Sequence, residues 1–252
     1  MAGFARAIVV GASSGIGAAV AKRLAREGAT VGLVARRAER LESVGAEVEA
    51  AGGTAVLVEH DVTDYDSVPA AFDGLVAGLG GLDLIVYAAG AMPAVDEHEY
   101  AFEKDRQMVE VNLLGAMAWL NPAAAHMEAA RSGVIVGISS IAGERGRRGN
   151  PGYGASKAAL TVWLEGLRNK ADRYGVRVVT VKPGFVDTEM FRSAGLEGTP
   201  PGLSPISADA CAAKILAMAR KGALSGFVPR RWGLVAMIIS AIPSWLFRKT
   251  NV

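Results

Sequence analysis

Three side chains in the sequence have the types and spacing needed to move a proton. Tyr153 and Lys157 stand four residues apart, so on a helix they share one face, and Ser140 precedes them. A free phenol, with a pKa near 10, shuttles protons poorly at neutral pH, and a neighbouring ammonium lowers that pKa. The sequence therefore predicts Tyr153 as a general acid–base beside Lys157. The Ser140 hydroxyl would donate a hydrogen bond to the oxygen that gains or loses the proton.

A glycine-rich turn follows the first apolar run of the chain. Its glycines stand between a predicted strand and a predicted helix. Backbone N–H groups at a helix start bind phosphate, and glycines allow a tight turn and close approach of the ligand. We therefore predict a dinucleotide pyrophosphate site rather than a purely structural turn. Its residues are Gly11, Ser13, Ser14, Gly15, Ile16 and Gly17.

Apolar runs alternate with helical patterns over most of the chain. The apolar runs are continuous, which indicates strands buried on both faces of a parallel sheet. With right-handed crossovers, this order predicts one α/β domain over residues 1–252, with a doubly wound, Rossmann-like parallel sheet and helices on both faces. The predicted strands are 7–10, 31–34, 55–58, 84–87, 134–138 and 176–181, and the predicted helices are 16–26, 37–50, 66–77, 103–130 and 154–174.

The glycine spacing and the Ser140…Tyr153-x-x-x-Lys157 arrangement resemble the compact, single-domain branch of the short-chain dehydrogenase/reductase family, over roughly residues 5–190. The resemblance implies hydride transfer between a nicotinamide and a ketone, aldehyde or secondary alcohol. It implies that Tyr153 and Lys157 also contact the cofactor, with Lys157 on the nicotinamide ribose. It further implies that Asn112 is a fourth catalytic residue, which distorts a long helix and holds a water linked to the lysine. A satisfied structural asparagine is the alternative.

The resemblance also implies other contacts with the cofactor. Asp61 would bind the adenine amino group and Val62 would flank the ring, although an aspartate here also suits a turn cap. The turn after the sixth strand would pass the nicotinamide carboxamide, with the Val186 backbone and the Thr188 hydroxyl fixing the ring. The implied set is Asp61, Val62, Ala89, Gly90, Pro183, Gly184, Val186 and Thr188. No metal site is predicted.

One motif departs from the family pattern. The fourth strand of the family usually ends Asn-Asn-Ala-Gly, and here Tyr87-Ala88 replace the two asparagines. Ala89 and Gly90 keep the close backbone approach to the adenine ribose. We expect the loss of the asparagine hydrogen bonds to affect cofactor affinity and to spare the proton-transfer residues.

The end of the second strand bears on the choice of dinucleotide. An NAD site often places an acid there, on the ribose 2′-hydroxyl, whereas an NADP site places an arginine near the 2′-phosphate. This chain has Ala35 in the position of the acid, followed by Arg36. The sequence therefore favours NADP(H) over NAD(H), with Arg36 as the phosphate contact. The alternative is that Arg36 and Arg37 merely start a solvated helix.

The composition limits the class of protein. The chain has 252 residues, 51% of them hydrophobic, and a net charge of +2, so nothing demands nucleic acid as a partner. Its single cysteine, Cys211, lies in an apolar helical run and excludes an intrachain disulfide, which fits a reducing cytoplasm. The N-terminus leads directly into a strand without a cleavable signal pattern. We therefore expect a cytoplasmic protein.

The segment 230–252 combines apolar and basic residues. Its stretch 232–247 is too short to span a membrane and contains Pro243, and no acidic residue occurs from position 210 to the end. The preferred interpretation is packing against another subunit, as a homodimer or homotetramer typical of the family, or over the pocket. The alternative is peripheral contact with an anionic membrane surface through residues 230–249.

Substrate identity must reside in the variable segments. Met92, Pro93, residues 141–150 and an irregular lid at 185–207 should line the pocket, and Phe185, Met190, Phe191 and Leu196 suggest an apolar substrate. The basic loop 144–148 is interpreted first as solvated surface, with guidance of an acidic 3-oxoacyl thioester as the alternative. The alternative to an enzyme is a non-catalytic dinucleotide-binding scaffold or sensor.

Overall fold

The computed structural model describes residues 3–194 and 202–250. Seven parallel strands form one sheet, in the spatial order β3-β2-β1-β4-β5-β6-β9. A two-stranded parallel pair, β7 with β8, lies apart from it. The strands are β1 Arg6–Val10, β2 Thr30–Ala35, β3 Thr54–Glu59, β4 Leu84–Tyr87, β5 Gly133–Ile138, β6 Val176–Pro183, β7 Val186–Asp187, β8 Ile206–Ser207 and β9 Ser225–Val228.

Helices cover both faces of the sheet, as the sequence predicts. One face packs in a core cluster with α1, α2 and α8, and the other packs with α3, α5 and α6. The helices are α1 Gly15–Ala25, α2 Ala38–Ala50, α3 Val68–Leu79, α4 Phe102–Val109, α5 Gly115–Ala130, α6 Pro151–Ala171, α7 Glu189–Ser193, α8 Ala208–Lys221, α9 Arg231–Ala241 and α10 Ser244–Phe247. The doubly wound α/β prediction is thereby confirmed.

The order of the strands reverses between β1 and β4. Strands β1, β2 and β3 run to one side of this point, and β4, β5, β6 and β9 run to the other. Ligands of open α/β sheets bind at the carboxyl ends of the strands at such a switch point, because the adjacent connections leave there in opposite directions. The glycine turn after β1 and Ala89-Gly90 after β4 both lie at this point.

Three local predictions differ from the structure. The edge strand β3 is not buried on both faces, and Leu57 on it is 41% exposed. The predicted helix 103–130 is divided into α4 and α5 by a π-helical turn at Glu110–Leu114. Strand β9, which the sequence did not predict, adds a seventh strand beside β6.

Cys211 is buried in the core, where burial raises its thiol pKa to about 12, as expected of a packing residue.

Candidate active site

The glycine turn is shaped by contacts that exclude side chains. Gly11 and Gly15 have φ angles of 88° and 55°, in the region that favours glycine. A Cβ on Gly11 would lie 2.4 Å from the Ala89 nitrogen, and one on Gly17 would lie 2.2 Å from the Gly11 carbonyl oxygen. Helix α1 then starts without a side-chain cap on its first N–H groups. The turn therefore fits a pyrophosphate, which such amide donors bind.

Arg37, which is not among the predicted site residues, lies on this turn. The Arg37 guanidinium donates to the Ser13 and Ser14 hydroxyls, at 3.0 and 2.8 Å, and also pairs with Glu189 at 3.2 Å. Arg40 pairs with the same carboxylate. The i,i+3 spacing of Arg37 and Arg40 at the start of α2 is the signal that could have identified them together.

Arg36, the predicted contact of the 2′-phosphate, lies beside Asp61. The two side chains approach to 3.6 Å; Arg36 is exposed and Asp61 is half-buried. Asp61 also accepts hydrogen bonds from the Thr63 amide and hydroxyl, at 3.0 and 2.8 Å, so it caps the turn that follows β3. Burial acts to raise the Asp61 pKa, but the bonds from Thr63 and the Arg36 charge outweigh it and lower the pKa below its usual value. The carboxylate therefore stays ionised beside the arginine at neutral pH.

The residue that follows Asp61 and the end of β4 are tightly packed together. Val62 is buried, and a Cβ on Gly115 would lie 3.2 Å from its Cβ. Tyr87 is fully buried and its hydroxyl donates to the Val111 carbonyl at 2.6 Å, inside the π-helical turn. The tyrosine that replaces the usual asparagine therefore supplies a brace of its own, between the sheet and the helix that carries Asn112.

Tyr153 and Lys157 lie in the first turns of α6. Asn150 accepts from the Tyr153 amide at 3.0 Å as the N-cap, and Pro151 occupies the first turn, where a missing N–H costs nothing. The helix therefore starts three residues earlier than predicted, at Pro151 rather than Gly154. Ser140 ends the segment after β5 and hydrogen-bonds the Tyr153 hydroxyl. The two groups predicted to share one substrate oxygen are thus already in contact.

Lys157 is buried next to Tyr153. Its Nζ lies 5.8 Å from the centre of the Tyr153 ring and donates to the Ile138 carbonyl at 3.0 Å. Burial lowers the Lys157 pKa to about 8. A Cβ on Gly90 would lie 3.7 Å from this Nζ, 3.5 Å from the Met190 methyl and 3.3 Å from the Asn112 carbonyl oxygen. Four segments of the chain therefore converge at the end of β4.

The tyrosine pKa differs from the sequence prediction. Lys157 was expected to lower it, but burial raises the Tyr153 pKa above its usual value, and the hydrogen bond with Ser140 opposes this only in part. Removing the phenol from water disfavours the phenolate more than the neighbouring groups stabilise it. In the protein alone, Tyr153 is therefore a protonated acid at neutral pH.

Asn112 is fully buried in the π-helical turn. Its side-chain oxygen accepts from the Ala91 amide at 2.8 Å, and its nitrogen donates to the Ala91 carbonyl at 3.0 Å and the Ser156 hydroxyl at 2.9 Å. The helix distortion that the resemblance implied is present at this position. The side chain holds the segment after Gly90 in place, and the water role stays a prediction.

The segment after β6 passes over the glycine turn. A Cβ on Gly15 would lie 3.2 Å from the Thr188 methyl, which places Thr188 across the turn. The Thr188 hydroxyl caps α7 by accepting from the Phe191 amide at 3.2 Å. Gly184 lies against the Trp232 indole, where a Cβ would come within 1.9 Å of the ring nitrogen. The segment thus runs between the glycine turn and α9, and it includes Pro183, Gly184 and Val186.

The aromatic residues in the described part of the lid pack against the protein. Phe185 contacts the rings of Phe191 and Trp232, with centroids 5.4 and 4.8 Å away. Met190 instead faces Gly90, which Asn112 and Lys157 also approach. Leu196 lies outside the described residues.

The basic loop 144–148 is not simply solvated surface. Arg145 donates to the Ile239 and Ile242 carbonyls and stacks 4.0 Å over the Phe247 ring. It therefore fastens the C-terminal segment to the loop that follows Ser140, which corrects the preferred interpretation of this loop.

The fold and this site define a class of protein. A family model described as short chain dehydrogenase matches residues 5–197. The chain belongs to this family of oxidoreductases, which act on CH–OH and C=O groups with a nicotinamide cofactor. The predicted family membership and enzyme class are confirmed.

Two relatives share 40% of aligned residues with this chain. One is an uncharacterized oxidoreductase from Myxococcus xanthus, aligned over 73% of each chain. Another is a cis-4-hydroxycyclohexanecarboxylate dehydrogenase from Sinomonas cyclohexanicum, aligned over 75% of this chain and 76% of the relative. An uncharacterized oxidoreductase from Staphylococcus epidermidis is 33% identical over 73% of this chain and 79% of its own.

Proposed function

We propose that the protein is an NADP(H)-dependent oxidoreductase that interconverts a ketone or aldehyde and the corresponding alcohol, with Tyr153 as the general acid–base. The observation that carries the proposal is the approach of Lys157 and Asn112 to Gly90, with the Ser140–Tyr153 pair next to Lys157. The glycine turn lies on the other side of this residue, because Gly11 packs against Ala89. A dinucleotide across the switch point would therefore bring its nicotinamide toward the tyrosine.

The chain's own groups account for the proton in this reaction. The bound nicotinamide supplies or accepts the hydride. In reduction, the protonated Tyr153 hydroxyl delivers its proton to the substrate oxygen, and Ser140 donates a hydrogen bond to that oxygen. Lys157, which donates to the Ile138 carbonyl, stabilises the phenolate that remains, and the same ammonium would bind the nicotinamide ribose. In oxidation the same groups act in reverse.

A substrate panel tests the reaction class. Ketones, aldehydes and secondary alcohols, from small aliphatic and cyclic compounds to steroid-sized molecules and 3-oxoacyl thioesters, would be assayed by NADPH absorbance. We expect turnover of at least one carbonyl–alcohol pair, of apolar character. The name of the Sinomonas relative supports including hydroxycyclohexane carboxylates. NADPH binding without turnover across the panel would favour the scaffold or sensor alternative.

The preference for NADP(H) rests on positive charge beyond β2. Arg36, Arg37 and Arg40 gather there, and Ala35 stands where an NAD site carries its acid at the end of β2; the arginines here pair with Asp61 and Glu189. Arg36→Ala removes one charged donor, worth about 1.5–3 kcal/mol, so the NADPH dissociation constant should rise about 10- to 100-fold while that of NADH changes little. Fluorescence titration of both cofactors measures this.

Arg173→Ala is the matched control, because Arg173 is exposed and precedes β6, at the amino ends of the strands. It should leave both dissociation constants unchanged. Equal losses of NADPH and NADH affinity in Arg36→Ala would contradict the assignment of the 2′-phosphate.

The pKa of Lys157 predicts how activity depends on pH. Because the Lys157 pKa is about 8, the ammonium is present below that pH and is lost as the pH rises through it. For reduction we expect kcat/KM, which reports groups of the free enzyme, to fall above about pH 8. Lys157→Met should lower kcat/KM at every pH and remove that limb of the profile. An unchanged limb in the variant would assign it to another group.

We also propose a cytoplasmic homodimer or homotetramer. Membership of the family supports this, and so does the exposure of Phe102 on α4 and Val162 on α6, at 72% and 69%. Within residues 3–194 and 202–250, no helix is both long and apolar enough to cross a bilayer. Multi-angle light scattering of the full chain would determine the number of subunits.

A further inference from the structure

The outward face of the C-terminal helices carries large apolar side chains into solvent. Leu234, Met237 and Ile238 form one stripe on α9, because they follow i, i+3, i+4 spacing. Trp245 and Leu246 continue the surface on α10. The exposed fractions are Leu234 59%, Met237 63%, Ile238 53%, Trp245 64% and Leu246 43%. An exposed apolar patch of this kind marks an interaction site.

The opposite face of α9 is fully used in the fold. Trp232, Ala236 and Ile239 are buried, and Trp232 packs against Phe185. Arg145 ties the end of this helix to the loop that follows Ser140. The helix is therefore held firmly by its inner side, so its outer apolar stripe is presented by a rigid support. Packing over the pocket, one interpretation of this segment, accounts for the inner face of α9 only.

Positive charge surrounds this apolar patch. Arg230 and Arg231 precede it, Arg248 and Lys249 follow it, and all four are exposed. No acidic residue occurs from position 210 to the end of the chain. The match to the family model ends at residue 197, so this arrangement belongs to the part of the chain beyond the family core.

A basic groove opens beside the patch. It has a volume of about 400 Å³, and arginines from two segments line it together with hydroxyl groups. Its lining includes Arg145, Arg148, Arg248, Ser244 and Thr250. Arg148 also approaches Glu97 at 3.7 Å. Guanidinium and hydroxyl donors around a groove of this size suit a phosphate group.

We propose that residues 230–250, the C-terminal face, seat the protein on the surface of an anionic lipid bilayer. The apolar side chains enter the headgroup region, while the flanking cations and the groove contact lipid phosphates. Charge complementarity favours this occupant over a second copy. A two-fold pairing of the face would bring eight such cations together with no acid from the same segment to offset them.

Sedimentation with vesicles tests the proposal on the full chain. Wild-type protein should bind vesicles of phosphatidylcholine mixed with phosphatidylglycerol, bind phosphatidylcholine alone far more weakly, and dissociate as salt is raised. Each surface cation contributes about 1 kcal/mol to such binding, so Arg248→Gln combined with Lys249→Gln should weaken it about 30-fold. Met237→Ser combined with Trp245→Ser should weaken binding to the anionic vesicles as well.

Matched controls lie on the opposite side of the molecule. Lys170→Gln with Arg173→Gln removes two exposed cations, one in the last turn of α6 and one just after it, and Leu224→Ser removes a side chain that is 63% exposed before β9. The substituted residues precede the amino ends of strands, whereas α9 follows the carboxyl end of β9. These variants should therefore bind anionic vesicles as the wild type does. All variants are checked for unchanged melting temperature.

Failure of the wild type to bind anionic vesicles overturns the proposal, as does equal binding by the C-terminal variants. Light scattering on the same samples identifies the competing occupant. If Met237→Ser combined with Trp245→Ser dissociates an oligomer and the wild type does not bind vesicles, the face is a contact between copies of the chain. Neither result depends on the cofactor or on turnover, so the proposed oxidoreductase function stands or falls separately.

Discussion

Replacing Tyr153 with phenylalanine is expected to lower kcat about 10²- to 10⁴-fold, the usual contribution of a positioned general acid–base. The change removes only the hydroxyl, which hydrogen-bonds Ser140, and leaves the ring beside Lys157. Tyr153 is half-buried, and burial raises its pKa, so solvent does not supply an equally well placed proton donor. Steady-state assays with the best substrate of the panel measure the loss.

Cofactor binding separates this effect from unfolding. If the hydroxyl also contacts the cofactor, its loss costs about 1 kcal/mol, so the NADPH dissociation constant should rise no more than about fivefold. Tyr174→Phe is the matched control, because Tyr174 lies after α6 and stacks with Arg173. That variant should keep full turnover. Undiminished turnover in Tyr153→Phe would reject the mechanism proposed for this site.

Gly17→Ala should weaken cofactor binding as strongly as Arg36→Ala does, but through the backbone. The new methyl would lie 2.2 Å from the Gly11 carbonyl oxygen and 2.9 Å from its carbon, and both are backbone atoms that cannot rotate away. The turn must therefore shift and misalign the N–H groups at the start of α1. Losing one charge-assisted hydrogen bond, worth about 1.5–3 kcal/mol, raises the NADPH dissociation constant about 10- to 100-fold.

Gly74→Ala is the control for this substitution. Gly74 lies on the exposed side of α3, and a Cβ there meets nothing within 4 Å. Alanine is favoured over glycine in a helix by about 0.8–1.0 kcal/mol, so the melting temperature should hold or rise, with cofactor affinity unchanged. Wild-type affinity in Gly17→Ala would mean that the turn does not hold the pyrophosphate.

Much of the fold was predictable because its signals are local. Continuous apolar runs mark the central strands β1, β4 and β5, and β4 was predicted with the bounds the structure gives. Strand β9 was not predicted, because Ser225-Gly226-Phe227-Val228 has only two large apolar residues. It becomes a strand through pairing with β6, a contact distant in sequence. Tertiary context overrides weak local preference in such edge strands.

The site was predictable in its types of residue but not in its electrostatics. The four-residue spacing of Tyr153 and Lys157 determined that they share a helix face. The sign of the Tyr153 pKa shift depended instead on how much water the folded chain removes from the phenol. The role of Arg37 likewise depended on where α2 starts, because only the folded turn brings Ser13 and Ser14 to its guanidinium.

The sequence by itself determined the parallel α/β sheet, and it predicts the phosphate turn and the acid–base residues, because strand period, glycine spacing and helical repeat are short-range properties. Only the tertiary structure decided that Tyr87 braces the helix of Asn112 and that Arg145 fastens α9. Only it decided which side of α9 faces water. Such contacts join residues far apart in the chain, and burial and charge at each position depend on every segment that packs around it.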